Sequence, residues 1–103
     1  MHARVTSISG STAEADAGIE NFRTNVVPLV REEGEGAILL VDRQSGEAIA
    51  ITLWEDEEAM SASEESADNL RAQAARQMGA TQAPTIGRYE VAVFEVSNST
   101  ATT

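Results

Sequence analysis

Between Gly36 and Met60 the chain reads GAILLVDRQSGEAIAITLWEDEEAM, and no other stretch limits the possible folds as strongly. Two apolar runs flank a short turn, where Gly46 can take the positive φ of a tight hairpin. The second run ends in Trp54, and four acids, Glu55 to Glu58, then open a helix at the end where negative charge favours the dipole. A hairpin that feeds straight into a helix cannot bury both of its faces alone, so the remaining residues must supply further strands and a second helix.

The rest of the chain reads accordingly. Residues 3–9 (ARVTSIS) form a first strand bounded by Gly10. Ser11 and Glu14 have the spacing of a capping box, with Ser11 accepting from the backbone three residues on and Glu14 reaching back. Apolar residues follow at Ala15, Ile19, Phe22, Val26, Leu29 and Val30, the three-and-four spacing of an amphipathic helix. Pro28 predicts a kink or break near residues 25–28, and Glu33-Gly34 ends the element. Strands two and three are expected over residues 37–42 and 47–54.

A helix starts at Asp56 or Glu57. Ser61 and Glu64 form a second capping box in mid-course, which predicts a short helix, a bend and a longer helix to Met78, capped by Gly79. Its buried stripe is Met60, Ser63, Ala67, Leu70, Ala74 and Met78. Strand four is expected over residues 88–96, and the polar residues 97–103 as a flexible tail. Residues 1–96 are thus one α+β domain of ferredoxin-like order, β-α-β-β-α-β, with a four-stranded antiparallel sheet and two helices on one face.

Both faces of the sheet are apolar. Strand three sets Ile49, Ile51 and Leu53 against Ala48, Ala50, Thr52 and Trp54; strands two and four behave alike. Two helices cover one face only. The other is expected to meet a second copy across a two-fold axis, giving a homodimer through the sheet faces.

Composition removes several classes. Seven basic residues, all Arg, stand against seventeen acids for a net charge of −10. Nucleic acid and anionic membranes both demand a basic surface, so neither is an expected partner. Solubility and an arginine-favouring coding bias explain the balance, with salt adaptation as the sharper alternative. Absence of Cys excludes disulfides, thiolate metal sites and a Cys nucleophile. The chain has no apolar run of membrane-span length and no leader pattern, so a cytoplasmic protein is expected. There is no Gly-x-Ser-x-Gly turn, dinucleotide fingerprint or phosphate loop.

With this element order, and with the segment TLWEDEEA at residues 52–59, the chain resembles the dimeric α/β-barrel superfamily, and within it the antibiotic-biosynthesis-monooxygenase (ABM) type of domain. The resemblance covers residues 3–96. It implies a small, dimeric protein that is either a cofactor-independent monooxygenase of a small aromatic or phenolic compound, or an isomerase. The other class is a non-catalytic homodimer that binds a hydrophobic metabolite. Haem-degrading members ligate iron through a His on the second helix; here that position falls near Gln73, and no metal and no cofactor are expected. Monooxygenases of this type hold a phenol between sheet and helices among Asn, Trp, Tyr and Arg side chains. The matching types here are Trp54, Tyr89 and Arg4 as catalytic candidates, with Arg88 of the same type. The pocket is expected to be lined by Ser7, Phe22, Trp54, Met60 and Leu70.

Each candidate has a structural counterpart. The structural reading is favoured for both aromatic candidates: Trp54 as an anchor between sheet and second helix with its N–H satisfied locally, and Tyr89 as a rim residue. Strand parity sets Arg88 and Tyr89 on opposite faces. His2, the only histidine, is of the residue type that serves as a general base but has the position of a mobile terminus. The acids at 55–58, 64, 65 and 68 lack the alternation and glycine of a calcium loop and read as a solvated, dipole-favourable face.

Overall fold

Residues 2–9 include the β-branched Val5, Thr6 and Ile8 and form strand β1 (His2–Ser9), which buries Arg4, Thr6 and Ile8 on one face. The computed structural model describes residues 1–77, 79 and 83–97, with backbone only at 74, 75 and 77. Strands β2 (Gly36–Val41), β3 (Glu47–Trp54) and β4 (Thr85–Glu90) join β1 in an antiparallel sheet of order β2-β3-β1-β4. This is the expected ferredoxin-like order. In register, Thr6 faces Ala50 and Ile86, and Arg4 faces Thr52 and Arg88. The hairpin between β2 and β3 closes as its glycine predicts: Gly46 has φ +81°, and a Cβ there would meet the Gly10 carbonyl at 2.3 Å. Asp42 tightens the turn by accepting from the Gln44 and Ser45 amides, which holds its carboxyl below the usual range.

The first helical region runs as a 3₁₀ turn (Thr12–Glu14), helix α1 (Ala15–Asn21), a π turn (Phe22–Val26) and helix α2 (Val27–Glu33). Ser11 caps it by accepting from Ala13, not from the residue after that as expected. Pro28 distorts the helix without ending it. The ring would clash with the carbonyl four residues back, and the helix widens instead, so that the Val27 amide donates to Phe22, five residues back. Gly34 ends α2, donating to Val30 at 2.7 Å.

Helix α3 (Glu57–Ala62) starts at Asp56, whose carboxylate accepts from Ala59 at 2.8 Å. Asp56→Ala should therefore cost about 1 kcal/mol in urea unfolding, and Asp56→Asn much less. Equal losses would assign the effect to charge, not to the cap. The expected bend separates α3 from α4 (Glu64–Gln77), but the junction residue is Ser63, not Ser61. Ser63 accepts from Ala67 through its carbonyl and donates through its hydroxyl to the Met60 carbonyl. The expectations for the Ala74 side chain, for Met78 and for the tail beyond residue 97 lie outside the described residues.

Strand four differs from expectation. It spans Thr85–Glu90, not 88–96, because β1 has nothing left to pair with beyond the His2–Glu90 register position. A last bond joins the Val91 amide to the Met1 carbonyl at 2.9 Å, and residues 92–97 continue past the end of β1 with Val93 and Phe94 exposed.

The helices cover one sheet face. Their core contains Val30, Trp54 and Met60, with Ile8 and Ala48 buried together elsewhere on the same face. The uncovered face displays Ile38, Leu40, Ile49 and Tyr89, each more than a third exposed.

Candidate functional site

A cavity lies between the covered sheet face and the helices. Strand residues Arg4, Thr6, Thr52 and Trp54 form its floor; Asn21, Phe22 and Val26 enter from α1 and the π turn; Ala67, Leu70 and Arg71 enter from α4. Its volume is about 60 Å³, against about 300 Å³ or more for a pocket that encloses a drug-sized ligand. The π turn beside Pro28 thus helps to shape the wall, since Phe22 and Val26 belong to it.

Of the sequence-predicted residues, Arg4, Trp54, Phe22 and Leu70 meet at this cavity. Met60 is buried but packs against Trp54 and Val30, outside the lining. Tyr89 and Ser7 do not belong to it. Strand alternation puts them with Ala3 and Val5 on the uncovered face, where the Tyr89 ring lies over Gly87 so closely that a Cβ at residue 87 would sit 2.6 Å from it. Ser7 instead borders a wider trough of about 350 Å³ beside Leu40 and Ile49. That trough is larger, but its lining holds no guanidinium or aromatic ring. His2 is not a loose terminus: it is half-buried at the start of β1, paired in register with Trp54.

Trp54 is wholly buried, and its indole N–H donates to Thr52 Oγ1 at 3.0 Å. The N–H is therefore satisfied within β3, while the ring face is open to Arg4, whose Cζ lies 5.3 Å from the ring centroid. Thr52, having accepted from Trp54, keeps its hydroxyl proton free to donate.

Arg4 is 3% exposed and reaches α3 and α4 from the middle of the molecule. Its Nη2 donates to the Met60 carbonyl at 2.7 Å, to Ser63 Oγ at 3.0 Å and to Glu64 Oε1 at 3.1 Å. Burial pushes its pKa down and Glu64 opposes that; a guanidinium stays charged under both influences. Arg88 Nε also donates to Glu64 Oε1, at 2.9 Å, and Arg71 Nη2 lies 3.6 Å from Oε2 while donating to Asp68. Three of the seven arginines thus converge on one carboxylate. The Arg88 hydrogen bond, then the Arg4 charge, hold Glu64 at a pKa of about 2 against the opposing effect of burial.

Sequence reasoning placed Glu64 among solvated acids, and the structure corrects this. It also missed Asn21, Thr52 and Arg71 as cavity residues. Two signals existed: Arg71 is four residues after the buried Ala67, and Thr52 shares strand parity with Trp54. No group of three or more metal-ligating side chains occurs among the described residues, and no described helix is long and apolar enough to cross a membrane.

Comparison with known proteins agrees with this architecture. No family model matches the chain. It is similar to two uncharacterised proteins of Mycobacterium tuberculosis: Rv2557, 36% identical over 103 residues, and Rv2558, 44% identical over 77 residues. These matches cover 98% and 73% of this chain but 45% and 33% of those proteins, so the chain spans less than half of their length. Among solved structures it resembles the monooxygenase from the gene ActVA-Orf6 of Streptomyces coelicolor, crystallised with nanaomycin D, at TM-score 0.70 and 18% identity over 93% of this chain and 92% of that one. It also resembles Rv0793 of M. tuberculosis, at TM-score 0.68 and 17% identity over 93% and 98%. A Nitrosomonas europaea protein put forward as an antibiotic biosynthesis monooxygenase gives TM-score 0.68 and 18% identity over 90% of this chain and 100% of that one. The chain has the ferredoxin-like fold of the antibiotic biosynthesis monooxygenases.

Proposed function

We propose that the protein is a cofactor-independent monooxygenase of a small phenol, acting in the cavity between sheet and helices. The observation that carries this reading is the buried Arg4 guanidinium set against the face of Trp54 in that cavity. A phenol held there is favoured as its phenolate, because a neighbouring buried cation stabilises the charged form. The phenolate is the electron-rich species that O₂ can oxidise. The balanced reaction converts the ring C–H opposite the hydroxyl to C=O: one phenol and one O₂ give a quinone and one water. The four electrons that leave the phenol reduce O₂, one oxygen atom staying in the product. None of the described lining residues is His, Asp or Glu, and in this reading the phenol loses its proton to solvent as it enters.

A second reading is favoured by the cavity volume of about 60 Å³, which suits a binding module for a small metabolite better than an enzyme for a polycycle. Oxygen consumption with a panel of hydroquinones and monophenols separates the two. Uptake matched by quinone absorbance, and lost in Arg4→Met, is expected for the enzyme; no uptake above buffer from the folded protein leaves the module.

We further propose a homodimer through the uncovered sheet face. Ile38, Leu40 and Ile49 are 39%, 50% and 38% exposed there, a contiguous apolar surface of a kind that a free monomer seldom presents. Sedimentation at micromolar concentration should return about twice the 10.9 kDa chain mass, and Ile49→Arg should return the chain mass itself. A wild-type monomer would overturn the proposal.

A further inference from the structure

Three residues that line the cavity each carry a buried nitrogen donor with no hydrogen-bond partner among the described residues: Arg4 Nε, Arg71 Nη1 and Asn21 Nδ2. These residues are 3%, 9% and 7% exposed. Buried donors are rarely left unpaired in a folded protein, since each forfeits its hydration without return. They come from three separate elements, β1, α4 and α1, and so are brought together by the fold and not by local sequence. In each guanidinium the Nη2 nitrogen is committed to fixed acceptors, Glu64 for Arg4 and Asp68 for Arg71, which leaves a different nitrogen uncommitted. Asn21 is oriented likewise: Asn25 donates to its Oδ1 at 2.8 Å and leaves the amide N–H₂ as the free end.

Charge points the same way. The cluster sets Arg4, Arg71 and Arg88 against Glu64 and Asp68, a local surplus of one positive charge in a chain whose net charge is −10. Thr52 adds a hydroxyl proton, its oxygen having accepted from Trp54. The three unpartnered nitrogens and the Thr52 hydroxyl proton are all donors.

We infer that the cavity recognises a carboxylate, and that the molecule it takes is a small organic acid bound by Arg4, Arg71 and Asn21. A carboxylate is acceptor-only and offers about four lone-pair sites on two oxygens, enough for three separate donors and the threonine hydroxyl. A single phenolate oxygen offers fewer. The volume of about 60 Å³ admits the head group and little more, so the acid is compact. The inference rests on the cavity being the binding site proposed above and narrows its ligand to carboxylated molecules, a carboxylated phenol if the oxidation is also correct.

Trp54 is the only tryptophan and lies against Arg4, so its fluorescence reports binding directly. The test titrates two acid–amide pairs of matched shape, propionate with propionamide and benzoate with benzamide, into the wild-type protein at constant ionic strength. In at least one pair the acid should bind about tenfold or more tighter than its amide, as charge-assisted hydrogen bonds require. Asn21→Leu and Arg71→Met should each reduce that preference by about tenfold, with folding checked by circular dichroism. Equal binding of acid and amide in both pairs, or no binding of either acid, overturns the inference; the wild-type titrations alone can overturn it, even if both variants misfold. Binding without turnover would end the monooxygenase reading and keep this one. Oxidation of phenols with no gain from a ring carboxylate would do the reverse.

Discussion

Trp54→Ala is expected to cost about 3–5 kcal/mol of folding stability, the range for removing a large aromatic side chain from a well-packed interior. The ring is wholly buried, Val30 and Met60 pack against it from two helices, and its N–H is bonded to Thr52. Removing it opens a void at the point where β3 turns into α3. Trp54→Phe keeps most of the volume and the face presented to Arg4, losing chiefly the Thr52 hydrogen bond, so its cost should be about 1–2 kcal/mol. Urea unfolding followed by far-ultraviolet circular dichroism measures both, since the variants lack the fluorophore. A Trp54→Ala loss below about 1 kcal/mol would contradict the anchoring role. In the oxygen-consumption assay, Trp54→Phe should lower turnover no more than it lowers stability, because the N–H that a substrate would use is already engaged by Thr52.

How far this architecture was legible in the sequence depends on the range of the interactions that set it. The Thr52–Trp54–Asp56 junction is local. A strand end, an aromatic and a capping acid each declare their conformation within a few residues, and β3 spans the expected Glu47–Trp54. The end of β4 is not local. Val91 to Val96 are as apolar as a buried strand, yet pairing stops where β1 stops, and that depends on a register made between residues almost ninety apart in sequence. The cavity has the same character. Trp54 and Arg4 were legible as candidate types, but Tyr89 has equal chemical credentials and points to the other face. Asn21 and Arg71 carry no motif. Their importance arises only when α1 and α4 are laid on the sheet and their donors are left without acceptors. Glu64 resembles its acidic neighbours in sequence and differs from them in having three guanidinium groups around it.

Glu64→Gln should in consequence be the most damaging substitution among the acids, costing about 2–3 kcal/mol at neutral pH. The side chain is only 28% exposed and balances Arg4 and Arg71, whose side chains are 3% and 10% exposed; removing the charge leaves two buried cations with only Asp68 near them. The pH dependence has a definite sign. Glu64 titrates at about 2 in the folded chain against 4.5 for the free side chain, so the folded state favours the ionised form. That contribution is present in full above pH 4.5 or so and is lost as pH falls toward about 2. It amounts to about 2–3 kcal/mol, the lower end being the better guide because Arg88, its first hydrogen-bond partner, is half exposed. The wild-type protein should therefore lose stability more steeply than Glu64→Gln across that interval, and the two curves should converge at its acid end. Carboxylates outside this cluster are common to both proteins and cancel in the difference. Glu65→Gln, one residue away and exposed, should stay within about 0.5 kcal/mol of wild type at every pH. Urea midpoints measured across the acid range decide the matter: parallel wild-type and Glu64→Gln curves would mean that the three arginines draw no net stability from this carboxylate.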